Sequence, residues 1–174
     1  TFQTKVEDLT ALRVAGASLL DEATAVVEAV LLMRRANRSA PTSAKVLVDA
    51  ECLPQTLAVL RTRAEALGMT VELVDPTQPL PQGDVFGLVL QAPGTSGVVR
   101  DLARVVAAAK ERSALVTVAA DLLSLTLLTP PGEYGADIAV GSTQRFGVPL
   151  FFGGPHAAYL AVRSGLERML PGRL

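Results

Sequence analysis

Cysteine and histidine are almost missing from this 174-residue chain, which holds one of each, Cys52 and His156. A lone cysteine excludes an intrachain disulfide, and a reducing compartment fits that usage. One cysteine and one histidine cannot make a Cys/His zinc site, and no His-Glu-x-x-His occurs, so no metal site is expected. A Cys–His nucleophile pair would need these two residues to meet, whereas core packing is the ordinary use of such a cysteine. Tryptophan is absent and aromatic residues make up 4%. The core must then be built from Leu, Val and Ala, which suits parallel strands covered by helices. Net charge is −1, and no basic patch interleaves with aromatics, which argues against a nucleic-acid partner. Arg34, Arg35 and Arg38 form the one basic cluster, expected at a helix end where cations meet the dipole favourably. No apolar run approaches the roughly 20 residues of a membrane span. No signal-peptide or other targeting pattern opens the chain.

Several short motifs are also missing. No G-x-G-x-x-G follows the first strand, and no G-x-x-x-x-G-K-[ST] occurs, which weakens nicotinamide-dinucleotide and P-loop readings. No G-x-S-x-G elbow exists, and a Ser-His-Asp triad would have to recruit His156.

What is present is a well-stocked core, with 49% hydrophobic and 19% charged residues, enough for one domain over residues 1–174. Residues 9–35 carry strong helix formers and predict a helix, with Ser18 and Asp21 in a capping arrangement. Residues 45–49 (Lys-Val-Leu-Val-Asp) predict a buried strand, and Pro54 opens a helix that Gly68 stops. Strands are expected at 70–74, 85–91, 115–119 and 137–140, a helix at 99–112, and a last strand, antiparallel to the others, at 157–162. Leu166 to Leu170 predicts the start of another helix. This alternation implies an α/β fold, a mainly parallel sheet with helices on both faces. Such a sheet binds ligands beyond the carboxyl ends of its strands. Those ends feed Pro93–Gly97, Ala120–Asp121 and Gly141–Arg145.

Two loops stand out there. Ala92-Pro-Gly-Thr-Ser-Gly97 reads as a β-to-α turn whose backbone N–H groups could alternatively cradle an anion. Residues 141–158 combine glycines, polar side chains and Phe146, Phe151 and Phe152, as close-approach sites and interfaces do.

The stretch 135–149, Gly-Ala-Asp-Ile-Ala-Val-Gly-Ser-Thr-Gln-Arg-Phe-Gly-Val-Pro, and then Gly153-Gly-Pro-His-Ala-Ala-Tyr-Leu-Ala-Val-Arg163, resemble the lysine-free N-terminal half of the glycine decarboxylase (P-protein) family of the glycine cleavage system. Phe2-Gln-Thr4, Ala17-Ser-Leu-Leu-Asp-Glu-Ala-Thr24, Pro130-Pro-Gly-Glu133 and Met169-Leu-Pro-Gly-Arg173 fall in the family's order, so the resemblance covers nearly the whole chain. It implies the large domain of fold-type-I, aminotransferase-like enzymes that use pyridoxal phosphate (PLP). It also implies a duplicated enzyme whose C-terminal half, or second subunit, carries the PLP lysine. The parent reaction would decarboxylate glycine and pass the aminomethyl group to the lipoyl H-protein, in a bacterial-type cytoplasm or an organelle matrix. Both ends of the chain, without an initiator Met, read as cuts inside a longer protein.

By that resemblance Gln144 occupies the lysine position, and an amide nitrogen is too weak a nucleophile for a Schiff base. Val118 takes the place of the strand acid that would hold the pyridine nitrogen, with Asp121 three residues on. The three lysines, Lys5, Lys45 and Lys110, are expected away from ligand territory, with Lys110 solvated on its helix. The chain is therefore expected to bind no PLP of its own, to be inactive alone, and to pack against the lysine-bearing half. Ser18, Asp21, Glu22, Gln144, Arg145 and His156 are the candidates for lining that site or interface. The alternatives are a purely structural or interaction module, an independent α/β enzyme using Asp121 and His156, and a PLP enzyme using an unexpected lysine.

Overall fold

A computed structural model describes residues 2–172. Five strands run parallel, in the spatial order β3 (Val71–Val74), β2 (Lys45–Asp49), β4 (Val85–Ala92), β5 (Leu115–Ala120) and β6 (Ile138–Ser142). β7 (Ala158–Val162) joins β6 antiparallel, and the two-residue β1 (Val14–Ala15) closes the sheet antiparallel to β7. The β-branched and leucine-rich runs read from the sequence are the central strands. β4 and β5 are buried almost throughout, as strands covered on both faces must be.

α1 (Phe2–Thr10) and α4 (Ala103–Glu111) cover one face, α2 (Glu22–Ala36) and α3 (Pro54–Ala66) the other. On the first face Val6, Val105 and Val106 pack with Leu88, Leu90, Val116 and Val118. On the second, Val26, Val30 and Met33 pack with Val46, Val48, Phe86, Ile138 and Val140. At the amino end, the fully buried Asp137 carboxylate accepts from Lys110 Nζ at 3.0 Å, Arg163 Nε at 2.6 Å and the Val116 N–H at 2.9 Å. That triad ties α4, β5 and β7 together. Lys110 is thus half-exposed and ion-paired rather than simply solvated.

The structure corrects four expectations. Residues 9–35 are not one helix. α1 ends at Thr10, Ala11 takes a left-handed φ of 54°, and β1 forms where Val14 and Ala15 pair with Val162 and Ala161. Residues 11–21 include Gly16, a poor helix former, and pairing of Val14 and Ala15 with β7 decides the segment. Ser18 caps nothing. Asp21 is the N-cap itself, extended at φ −151°, and its Oδ1 accepts from the Thr24 N–H at 2.8 Å. α4 begins only at Ala103, because Arg100 is drawn away to β2 (below). Residues 166–170 hold a single 3₁₀ turn, Glu167–Met169, not a helix start. Arg35 at the end of α2 donates to the Met169 carbonyl at 3.1 Å, and Arg34 lies over the Phe86 ring at 5.3 Å, so the basic cluster does decorate a helix end.

Candidate functional site

The carboxyl ends of β2, β4, β5 and β6 share one rim, and two of the five ion pairs among the described residues, Arg100–Asp49 and Arg145–Asp121, lie on it. Asp49 closes β2 with a fully buried carboxylate. Arg100 reaches back over it, Nη1 to Oδ1 at 3.2 Å and Nη2 to Oδ2 at 2.6 Å, while Nη2 also donates to the Gln91 carbonyl at 2.8 Å. The N–H groups of Glu51 and Gln91 complete the shell at 2.9 and 3.1 Å. A buried charge is tolerable when it is paired and its lone pairs are all used, as here.

Next along the rim, Gln91 Nε2 donates to Glu22 Oε1 at 3.0 Å, from the end of β4 to the start of α2. Burial pushes the Glu22 carboxyl above its ordinary range, the Asp121 and Asp21 charges push the same way, and the bonds from Gln91 and the Ser142 backbone oppose them. Gln91 Oε1 is buried without a protein partner. Asp121, just past β5, is ion-paired with Arg145, and its Oδ1 accepts from the Leu123 N–H at 3.2 Å. Past β6, the Gln144 N–H donates to Ser142 Oγ at 3.2 Å and its Nε2 to the carbonyls of Gly154 and Pro155, both at 3.2 Å. His156 is exposed on that loop, close enough to Asp21 to help lower the Asp21 carboxyl, which the Thr24 bond lowers most.

Of the six sequence candidates, Asp21, Glu22, Gln144, Arg145 and His156 therefore belong to one chain of contacts around β5 and β6. Ser18 is exposed and lies outside it. Sequence reasoning missed Asp49, Glu51, Gln91 and Arg100. The readable signal was an acidic pair, Asp49-x-Glu51, directly after a buried strand. Val118 pairs with Leu90 inside the core and does not reach the rim, whereas Asp121 does.

The rim does not fit PLP. Lys45 is ion-paired with Glu72 and donates to the Gln82 carbonyl at 3.1 Å, and Lys110 binds Asp137; both sit at the amino end of the sheet. Lys5 on α1 lines a recess with Phe2, Val6, Leu122, Thr143 and Phe146 and faces none of the acidic cluster in a bonded contact. A phosphate would find the loop after β4 taken as well. The Ser96 N–H donates to Glu51 Oε2 at 2.8 Å and the Thr95 N–H to the Glu51 carbonyl at 3.0 Å. In the first turn of α2 the Thr24 N–H is taken by the Asp21 cap, and the Ala103 N–H that opens α4 donates to Asp101 Oδ1 at 3.0 Å.

The glycine dehydrogenase (decarboxylating) of Nitrobacter winogradskyi is 64% identical over 173 residues, and that of Rhodopseudomonas palustris 58%. The match covers 99% of this chain but only 18% and 17% of those relatives, so the chain spans under a fifth of their length. The crystal structure of a glycine decarboxylase (P-protein) of the glycine cleavage system, in inhibitor-bound form, superposes with a TM-score of 0.90 at 42% identity, over 99% of this chain and 40% of that one. An O-acetylhomoserine (thiol)-lyase from Campylobacter jejuni, which carries a pyridoxyl-lysine, superposes at 0.77 with 12% identity and shares the fold alone. The model of the glycine cleavage system P-protein family matches residues 1–174, and this chain belongs to that family.

Proposed function

We infer that this chain is part of the lysine-free N-terminal half, or first subunit, of a glycine-decarboxylating enzyme. It folds as one domain and serves the reaction as a partner, not as the reacting half. Glycine and the lipoyl H-protein are the substrates of the whole enzyme. PLP, held mainly by the lysine-bearing half, supplies the electron sink as CO₂ leaves.

The observation that carries this reading is the fate of Gln144. The family resemblance aligns it with the cofactor lysine, and its amide is spent on the Gly154 and Pro155 carbonyls. An amide in that role pins the loop 144–155 and offers no nucleophile. Asp21, Glu22, Arg145 and His156 line the rim that this loop borders. Their role on this reading is to shape the side of the site that faces the partner half. The relatives are bacterial, which supports a bacterial-type cytoplasmic location over an organelle matrix.

The test is PLP titration of the chain, borohydride reduction and intact mass. No covalent adduct is expected. A stoichiometric adduct would overturn the reading, and Lys5, the lysine beside Thr143 and Phe146, is where it would be sought first.

A further inference from the structure

Lys45 pairs with Glu72 and Lys110 with Asp137, whereas none of the hydrogen bonds or ion pairs among the described residues reaches Lys5, which is exposed on α1. On the same helix Glu7 accepts from the Ala15 N–H at 3.1 Å, and Asp8 forms no ion pair with it. Beside Lys5 a recess of about 250 Å³ lies between α1 and the loop after β6, with Phe2, Leu9, Leu122, Phe146 and Val148 in its walls. The loop side of the recess is preformed. The hydroxyl and the N–H of Thr143 both donate to the Ala157 carbonyl, at 2.6 and 2.7 Å, and the Gln144 amide holds the far end of the loop at Gly154. Between Phe146 and Val148, Gly147 takes a left-handed φ of 103°, which glycine adopts without steric cost. From Val148 the apolar surface runs on into Leu150, Phe151 and Phe152, all exposed. A small ligand would fill the recess and leave that strip in water, whereas a protein segment covers both. An unpaired ammonium in the wall of an apolar recess favours an apolar side chain with a carboxylate close by.

We propose that this recess docks a segment of the lysine-bearing half that carries an apolar side chain beside an Asp or Glu. The apolar group enters between α1 and Val148, and the carboxylate pairs with Lys5. The proposal rests on the reading of this chain as the lysine-free partner, and on more than four-fifths of the relatives' length lying outside it. Burial in the recess supplies the hold, and the ion pair selects which segment enters and in which register.

The experiment uses the whole enzyme. Carbodiimide joins a lysine to a carboxylate only where the two are in contact, and mass spectrometry of the digest names both residues. Lys5 should be cross-linked to an Asp or Glu of the lysine-bearing half. The cross-link should vanish in K5R, whose guanidinium can pair but does not couple. Val148→Trp fills the recess from its own wall, so in that variant Lys5 should be acetylated at least about tenfold faster than in wild type, because only the undocked fraction reacts. Absence of the Lys5 cross-link overturns the docking, as does a cross-link only to carboxylates outside the lysine-bearing half. So does a folded V148W, shown by an unchanged melting temperature, in which Lys5 is acetylated no faster. If V148W does not fold, V148F is read in its place by the same criterion. A borohydride-fixed PLP adduct on Lys5 would sink the functional reading itself, whereas a missing cross-link without such an adduct sinks only the docking.

Discussion

Glu22 is a carboxyl whose ionisation this fold opposes. Burial is the largest cause, and the neighbouring Asp121 and Asp21 charges add to it. A carboxyl raised from its ordinary value of 4.5 holds its proton longer in the folded chain than in the unfolded one. The folded state is therefore favoured most below that ordinary value. Stability falls as pH rises from there through the folded pKa, and the full penalty stands above it. Glu22→Gln keeps an acceptor for Gln91 Nε2 and deletes the charge. It should raise stability at pH 8 by about 1 kcal/mol and change nothing in acid below the ordinary carboxylate range. Thermal unfolding across pH checks this, and a gain that is the same at every pH would show that the charge is not its origin. Asp21 was legible as part of a capping arrangement with Ser18, but the helix start that places Asp21 and Glu22 was not, because residues 9–35 read as one helix. Asp49 and Arg100 were not legible either, because their pair joins residues 51 positions apart and the local sequence around Arg100 reads as helix.

At the scale of elements, β5, β6 and β7 approach one another more closely than any side chain but hydrogen permits. A Cβ at Gly141 would stand 2.1 Å from the Ala120 carbonyl oxygen and 2.8 Å from Tyr159 Cε1. The buried Tyr159 hydroxyl donates to that same Ala120 carbonyl at 2.7 Å, so the contact is fixed from both sides. Gly141→Ala must push β6 away from β5 or drive Tyr159 off its bond. A loss of about 3 kcal/mol is expected, at the upper end of overpacking costs. Urea unfolding measures it, and an alanine variant with an unchanged midpoint would show that this junction yields freely. The central strands were legible because runs such as Leu88-Val-Leu90 and Leu115-Val-Thr-Val118 suit little else than a strand buried on both faces. The antiparallel β7 was legible too, as the apolar run at 157–162. β1 was not, since two residues carry no period. What makes them a strand is β7, more than 140 residues later in the chain, as the pairing of Val14 with Val162 shows.

For the molecule as a whole, the loop between β6 and β7 is the surface that most needs cover. Leu150 is 77% exposed, Phe151 61% and Phe152 102%, in a chain with only five phenylalanines. Phe152 also sits at a left-handed φ of 54°, between residues that reach positive φ only as glycines, Gly147, Gly153 and Gly154. Residues other than glycine pay for that conformation, and an exposed ring gains nothing from the solvent in return. Contiguous apolar exposure of this kind marks an interaction surface. The rest of the relatives' length, more than four-fifths of it, is the natural source of the partner. On the proposed function the lysine-bearing half covers this loop. Replacing Phe151 and Phe152 together by Ser should then leave the chain's own stability within about 0.5 kcal/mol, because neither ring is buried. The same variant should weaken association with the lysine-bearing half at least about tenfold, and should suppress any self-association of the chain alone. Sedimentation velocity of the mixed and single proteins reads both effects. If the double variant unfolds earlier yet associates normally, these rings serve the loop's own packing and the cover must be sought elsewhere. If stability holds and association is lost, the loop pinned by Gln144 is where the two halves meet.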